Sequence, residues 1–446
     1  MPKLINKILR EKNIQSVSSN VLGAAINFAT FLLLVRSLSP ENFGQWVIFI
    51  TAATLIDMLR FGLTRRAITH YATTSSETEA ISLKASGFGI DLALSLIIAL
   101  VCLLINLLFS SFIGSSYQLF FLYYPILVLA NLCWNNSLAI QQALQKFDRI
   151  LYIRFIVSFL FFLFVVINKI WVREGIEVII IGSILSNALA SIFTVTRKWT
   201  GLHLLFRSRI NTIKKILNYG KFTLLTSVGS SLLKSADALI IGLSPVLGAN
   251  GVALYAIPFK VVDFIQLPLN GLMTAAIPKL SKTYLNRNTS DFKSILYSYT
   301  GASILFLIPY VIVLALLSYP VLYIFGGKDY LVHMPTMEPI FFVILGYSLL
   351  LPLDRFSGAA LDSAGIPHRN AQKVYVMLIL NLIGDFIAVF YFESLLLTAI
   401  VTVIFTIVGM VLGWNFLNRQ INVKSKAILT EGIEFYRNLL IQYKKN

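Results

Sequence analysis

Long apolar runs decide what this chain can fold into. A helix crossing a ~30 Å hydrocarbon core needs ~20 mostly apolar residues, because in lipid its backbone groups find partners only within the helix. Twelve such runs are legible, at 16–36, 43–63, 85–109, 118–142, 150–168, 177–196, 222–243, 250–275, 296–325, 338–356, 373–391 and 395–417. They use about 240 positions, and 57% of the 446 residues are hydrophobic. A charged fraction of 13% and a mean hydropathy of +0.78 exclude an ordinary soluble domain and a disordered chain. The runs do not alternate at period two, which excludes a transmembrane β-barrel. The expectation is an all-α polytopic membrane protein with twelve transmembrane helices.

Charge tests the order of the spans. The net charge of +17 would point to nucleic acid in a soluble protein. Here cytoplasmic loops collect Lys and Arg. With both termini cytoplasmic, thirty of the thirty-seven Lys and Arg sort to that side, Arg355 and Lys373 among them. Arg36, Lys169, Arg173 and Lys328 remain opposite, and Arg60, Lys234 and Lys260 fall inside spans. A miscounted helix would scramble this sorting.

The two halves resemble each other. Span one leads into SLSPENFGQW and a helix carrying Asp57; span seven leads into GLSPVLGANGVALY and a helix carrying Asp263. This predicts an N-terminal lobe at 16–196, a basic cytoplasmic linker at 197–221 and a C-terminal lobe at 222–417. The lobes are then parallel repeats about an axis along the membrane normal, a plan that places a substrate site near the midplane. Residues 1–15 read as an interfacial amphipathic segment. Residues 418–446 carry ILTEGIEFYRNLLIQYKK, too short and polar to span, and read as a cytoplasmic amphipathic helix on the membrane surface.

Ionisable groups inside a membrane are costly, and each is a functional candidate. Asp57 and Arg60, Lys234 and Asp237, and Lys260 and Asp263 are each spaced i,i+3, which puts both partners on one helix face. Two readings stand open. Either each pair neutralises itself and glues helices, or the bases meet an anionic ligand while the acids tune them or carry a coupling ion. Arg36 and Arg65 lie near the mouths of spans one and two, as ligand contacts or interfacial anchors. Asp91 and Asp385 have no base three or four residues away, and serve as a proton relay or as hydrogen-bonding glue. Asn20 and Asn27 in span one suit sugar hydroxyls or a helix interface equally. The aromatic residues around spans four and five, Phe120, Tyr124 and Trp134 among them, read as lipid-facing or interfacial belts.

Enzyme signatures are absent. There is no Walker A, GxGxxG or HExxH motif, and no GxSxG in a strand–turn–helix setting. Cys102 and Cys133 sit in apolar runs and the four histidines are scattered, so no metal or cofactor site is expected.

At the level of motifs, NVLGAAINFATFLLLVRSLSPENFGQW resembles the opening of the polysaccharide-biosynthesis (O-antigen, Wzx-type) flippases. These belong to the multidrug/oligosaccharidyl-lipid/polysaccharide (MATE-like) transporter superfamily. Asn20 and Gly23, Leu38 to Gly44, then Gly62 and Leu63 carry the match in the first half. Asp237, Ile241, Gly242, Gly251, Tyr255, Pro278 and Leu280 carry it in the second. The resemblance implies two six-helix lobes around a V-shaped cavity in a bacterial inner membrane. It implies a polyprenyl-pyrophosphate-linked oligosaccharide flipped from the cytoplasmic to the periplasmic leaflet, with a polysaccharide polymerase and other assembly proteins as partners beside the membrane lipids. Basic cavity residues then meet the pyrophosphate, and location assigns that role to Arg60, Lys234 and Lys260. Lipid II flippases of the superfamily generally carry two further helices, for which this chain lacks room. A cation-coupled multidrug exporter is the alternative, against which three intramembrane bases argue. A membrane polymerase or ligase would need a large outer loop, and a major-facilitator transporter a basic motif that RFGLTRRAITHY does not match.

Overall fold

The computed structural model describes residues 12–72, 76–423 and 427–445, without the side chains of 12–22, 72, 222–227, 439–440 and 442–445. Helices stand at all twelve expected positions. They are α1 (Lys12–Val35), α2 (Pro40–Ala72), α3 (Glu77–Phe109), α4 (Ser115–Ala130) with α5 (Leu132–Ala143), α6 (Phe147–Ile167) and α7 (Ile176–Thr196). The second half has α8 (Ile210–Leu243), α9 (Gly248–Leu285), α10 (Thr289–Leu316) with the short α11 (Ser318–Gly326), α12 (Met334–Ser363), α13 (Pro367–Phe386) and α14 (Leu395–Ile421). A last helix, α15, covers Ala427–Lys445. Among the described residues nine helices are long and apolar enough to cross a membrane, ten if α4 and α5 count as one bent span.

Two compact units divide the chain. The first is Met1–Ser231 with Gly248–Asn250, and the second is Leu232–Leu247 with Gly251–Asn446. The succession of elements repeats in both. The fifth helix of each half ends in a π turn, Asn168–Val172 after α6 and Ile387–Tyr391 after α13. The chain then turns through a left-handed residue, Arg173 or Glu393, into the sixth helix. The stretch 197–221 is less of a loop than its charge suggests. It forms a 3-10 turn at Leu202–Arg207 packed on α3, and α8 already begins at Ile210.

Two of the apolar runs are broken. The run 296–325 stops at Leu317, between α10 and α11. The run 118–142 bends by 46° between α4 and α5. The second break has a visible cause. In an unbroken helix the Val128 carbonyl would accept the Leu132 N–H. Here it receives Arg60 Nη1 at 2.6 Å instead.

The C-terminal helix α15 packs along α10. Gly301 and Gly432 cross backbone to backbone: a Cβ on Gly301 would strike the Ile428 carbonyl, and one on Gly432 would strike Gly301 itself. Such small-residue crossings let helices approach closely. Polar contacts flank the crossing. Tyr436 donates to the Ala302 carbonyl at 2.9 Å, and Ser294 and Ser298 both donate to Glu431 at 3.1 Å. Replacing Gly301 by Val will cost about 1–3 kcal/mol of local stability through overpacking. Trypsin will then cut at Arg437 faster than in the wild type while the rest of the chain stays intact, and a digestion time course read by mass spectrometry checks this.

Candidate functional site

In the first unit, Arg60 organises a closed polar network. The residue is 1% exposed. Its Nη1 donates to Ser95 Oγ and to the Val128 carbonyl, both at 2.6 Å. Its Nη2 donates to Asp57 at 2.9 Å and to Asn131 Oδ1. Asp57 accepts further hydrogen bonds from Tyr124 at 3.1 Å and Asn131 Nδ2 at 2.6 Å. One helical turn toward the C-terminus of α2, Thr64 donates to Asp91 at 2.7 Å, and Asn136 donates to the same carboxylate at 2.9 Å. Asp57, the terminal nitrogens of Arg60 and Asp91 are thus held by one another and by amide and hydroxyl groups, while the Arg60 Nε has no partner.

Sequence spacing identified the Asp57–Arg60 pair. It did not identify the partners, which come from α3, α4 and the break at Asn131. Tyr124 is a correction: read as a belt residue, it is fully buried with its hydroxyl on Asp57. Phe120, stacked on Tyr124, is buried too, and Trp134 donates to Asn187 at 2.9 Å.

The second unit separates its charges. Asp237 is buried and accepts from Tyr255 at 2.5 Å, Thr402 at 3.1 Å and Asn381 at 3.0 Å. The same Asn381 amide donates to Asp385 at 2.8 Å. Asp385 is 0% exposed, and its Oδ1 and the Asn381 Oδ1 have no hydrogen-bond partner. Two carboxylates held this close repel unless a proton or a cation lies between them. Asp237 and Asp385 therefore form a buried carboxylate cluster, bridged by the Asn381 amide and bonded by Thr402, in which a proton or a small cation would relieve the repulsion. Asp385 does not stand alone, as its sequence neighbours suggested. Its charge partner is 148 residues away in the chain, on α8.

The bases of this unit lie elsewhere. The i,i+3 spacing of Lys234 and Asp237 does not produce a pair. Asp237 turns to α9, α13 and α14, which hold it with three hydrogen bonds, while Lys234 is exposed. Among the described residues no carboxylate lies within ion-pair distance of Lys234, although the charges of Arg355 and Asp263 both reach it. Lys260 does meet Asp263, at 2.8 Å, with the two side chains 32% and 59% exposed. Lys234, Lys260 and Arg355 thus present cations in one neighbourhood with Asp263 as the nearby acid. Arg355, read from the sequence as a loop cation, is a residue the spacing argument missed. Lys373 is the opposite correction. Read as a cytoplasmic charge, it is buried on Asp354 at 2.7 Å and shares the Asp354 carbonyl and Ser357.

The remaining candidates scatter. Asn27 is exposed on α1 and Arg36 in the turn after it, and the Asn20 side chain lies outside the described residues. Arg65 is half-buried with a partnerless Nε, within reach of the charges of Asp91 and Arg154.

Comparison with known proteins fits this arrangement. The family model described as "Polysaccharide biosynthesis protein" matches residues 9–284, more than half of the chain. The chain belongs to this polysaccharide biosynthesis family. A second model, MatE, matches residues 223–390. A probable low-salt glycan biosynthesis flippase of Haloferax volcanii, Agl15, is 20% identical over 211 residues, 47% of this chain and 43% of that protein. The match therefore spans less than half the length of that relative. Among solved structures, an inward-facing multidrug resistance MATE transporter of the MOP superfamily superposes with a TM-score of 0.77 at 18% identity, covering 92% of this chain and 98% of the other. The lipid II flippase MurJ, in an inward closed conformation, gives 0.74 at 15% identity over 97% and 93%. These likenesses establish the fold. The names of these relatives describe flippases and a transporter.

The two kinds of charge predict different responses to mutation. Arg60→Met strands Asp57 among groups arranged for a cation, and will destabilise the protein by about 3–5 kcal/mol. Lys260→Ala removes a half-exposed ion pair and will cost less than about 1 kcal/mol. Thermal unfolding of both variants in the same detergent distinguishes them.

Proposed function

We propose that the chain flips a polyprenyl-pyrophosphate-linked oligosaccharide, the repeat unit of an O-antigen, capsule or exopolysaccharide, from the cytoplasmic to the outer leaflet of a bacterial inner membrane. One observation supports this beyond the family assignment: Lys234, Lys260 and Arg355 are exposed or half-buried, while Asp237 and Asp385 are buried and hydrogen-bonded elsewhere, leaving the exposed Asp263, paired with Lys260, as the acid beside the bases. Lys234, Lys260 and Arg355 offer ammonium and guanidinium donors, the groups that hold pyrophosphate through charge-assisted hydrogen bonds. A site for organic cations would invert this pattern and present the carboxylates. In this reading the lipid tail stays in the bilayer.

The Asp237–Asp385 pocket then serves as the coupling site. Its occupation by a cation or a proton removes the repulsion between the carboxylates and tightens α8, α13 and α14 around them. A site that binds in one conformation and releases in another shifts the population between them by its differential affinity. This gives the transporter a way to draw on an ion gradient without covalent chemistry.

Gene deletion with complementation tests the reading. The deletion strain will lose surface polysaccharide and accumulate lipid-linked repeat units, and the wild-type gene will restore both. Loss of one charge-assisted contact weakens binding by about tenfold, so Lys234→Ala combined with Lys260→Ala will rescue poorly at normal protein level. Unchanged surface glycan with raised sensitivity to cationic drugs would replace the flippase with a drug exporter. For the coupling pocket, Asp385→Asn will leave substrate binding intact and abolish the dependence of transport on the ion gradient, measured in proteoliposomes with the gradient imposed or collapsed.

A further inference from the structure

We propose that His70, Tyr71 and Tyr219 form a sugar-binding platform on the cytoplasmic side of the first unit, which receives a pyranose ring of the lipid-linked glycan before translocation. This rests on the flippase reading above and assigns it a site on residues outside the intramembrane charges. The platform joins the C-terminal end of α2 to the start of α8. The His70 and Tyr219 rings stack at 4.8 Å between centroids and 12° between planes. Tyr71 meets both edge-on, at 5.0 Å from His70 and 5.4 Å from Tyr219. The Lys215 ammonium lies 4.4 Å from the centre of the Tyr71 ring.

The cluster is fixed from below and open above. Tyr71 and Tyr219 pack against a core of Ala67, Leu83, Ile90 and Ile216, which is almost wholly buried. Gly220, next to Tyr219, lets α8 approach α2 so closely that a Cβ there would strike the Leu63 carbonyl. Ser82 and Thr212 share a hydrogen bond at 2.9 Å between α3 and α8. On the other side His70 and Lys215 are exposed, and both tyrosines are half-buried. A rigid aromatic cluster with one side open loses little entropy on binding.

Chemistry selects the occupant. An interfacial belt places single Tyr or Trp rings at the headgroup level. Here two rings stack, a third meets both edge-on, and nitrogen donors from His70 and Lys215 lie among them. Lys214 and Lys221, both exposed, flank them on the same helix. A pyranose offers matching features: an apolar C–H face that lies flat on an aromatic ring, and a rim of hydroxyls for charged donors. The charge distribution of the loops places this end of α2 and α8 on the cytoplasmic side, where such a substrate is completed.

Binding measured on the full-length protein in nanodiscs tests the platform with two probes: farnesyl pyrophosphate, and farnesyl pyrophosphate carrying one N-acetylglucosamine. The wild type will bind the glycosylated probe more tightly. Tyr219→Leu will weaken the glycosylated probe about fivefold, the scale of one aromatic contact, and leave the bare probe unchanged. His70→Leu will do the same, and Tyr219→Phe, which keeps the ring, will bind like the wild type. Unchanged affinity for the bare probe also certifies that each variant is folded. Equal loss for both probes, no loss for either, or failure of Tyr219→Phe would overturn the platform. If the wild type holds both probes with one affinity, the platform falls and the flippase stands; if it holds neither, the substrate reading falls and takes the platform with it.

Discussion

A guanidinium buried in the first unit draws four acceptors to its two terminal nitrogens, while its Nε has no partner, and the unit is built around that demand. The acceptors of Arg60 come from four places: a carboxylate on its own helix, a hydroxyl on α3, a main-chain carbonyl on α4 and the amide of Asn131. Each of these has a consequence for the fold. Taking the Val128 carbonyl out of the helical ladder bends α4 into α5. Taking Asn131 places a residue with both donor and acceptor at the bend, where its amide closes the network on Asp57. A Lys could not replace Arg60 there, because an ammonium lacks the planar fork that reaches two partners from each of two nitrogens.

The second unit solves the same problem by division. Its buried acids are held by neutral donors from Tyr255, Thr402 and Asn381, with no base in contact, so their combined charge is left for something that comes and goes. Its more accessible bases, Lys234, Lys260 and Arg355, lie away from those acids, with Asp263 paired to Lys260. The buried Lys373–Asp354 pair shows the contrast within the same unit, where a cation committed to an acid and a hydroxyl joins α12 to α13 and presents nothing.

Much of the fold was legible because lipid imposes a length and a composition on every span. Helix positions follow from local sequence. The Asp57–Arg60 and Lys260–Asp263 pairs were legible for the same reason, since i,i+3 spacing acts within one helix. What local spacing did not reveal were contacts made with a second helix. Lys234 and Asp237 have that spacing too, and part because α9, α13 and α14 offer Asp237 better partners than its own helix does. Asp385 looked isolated because its neighbour is on α8. Tyr124 looked like a belt residue because nothing local marks an aromatic ring that carries its hydroxyl to a carboxylate on another helix.

The C-terminal helix shows the same limit and adds a mechanical consequence. Amphipathicity alone puts α15 at an interface. It does not distinguish a lipid interface from the side of another helix, and the deciding residues, Gly301 and Gly432, carry no polarity at all. Docked through that crossing, α15 must follow α10 in any motion of the second unit, because a backbone contact between two glycines has no flexible side chain to absorb a shift. The apolar residues left on its outer side, Leu429, Ile433 and Ile441, recur at four- and eight-residue intervals and so lie along one face. A helix with one face fixed to a span and another suited to the headgroup boundary couples movement of α10 to the membrane surface. Segments near the end of a transporter chain can thus bear on its cycle without touching its substrate.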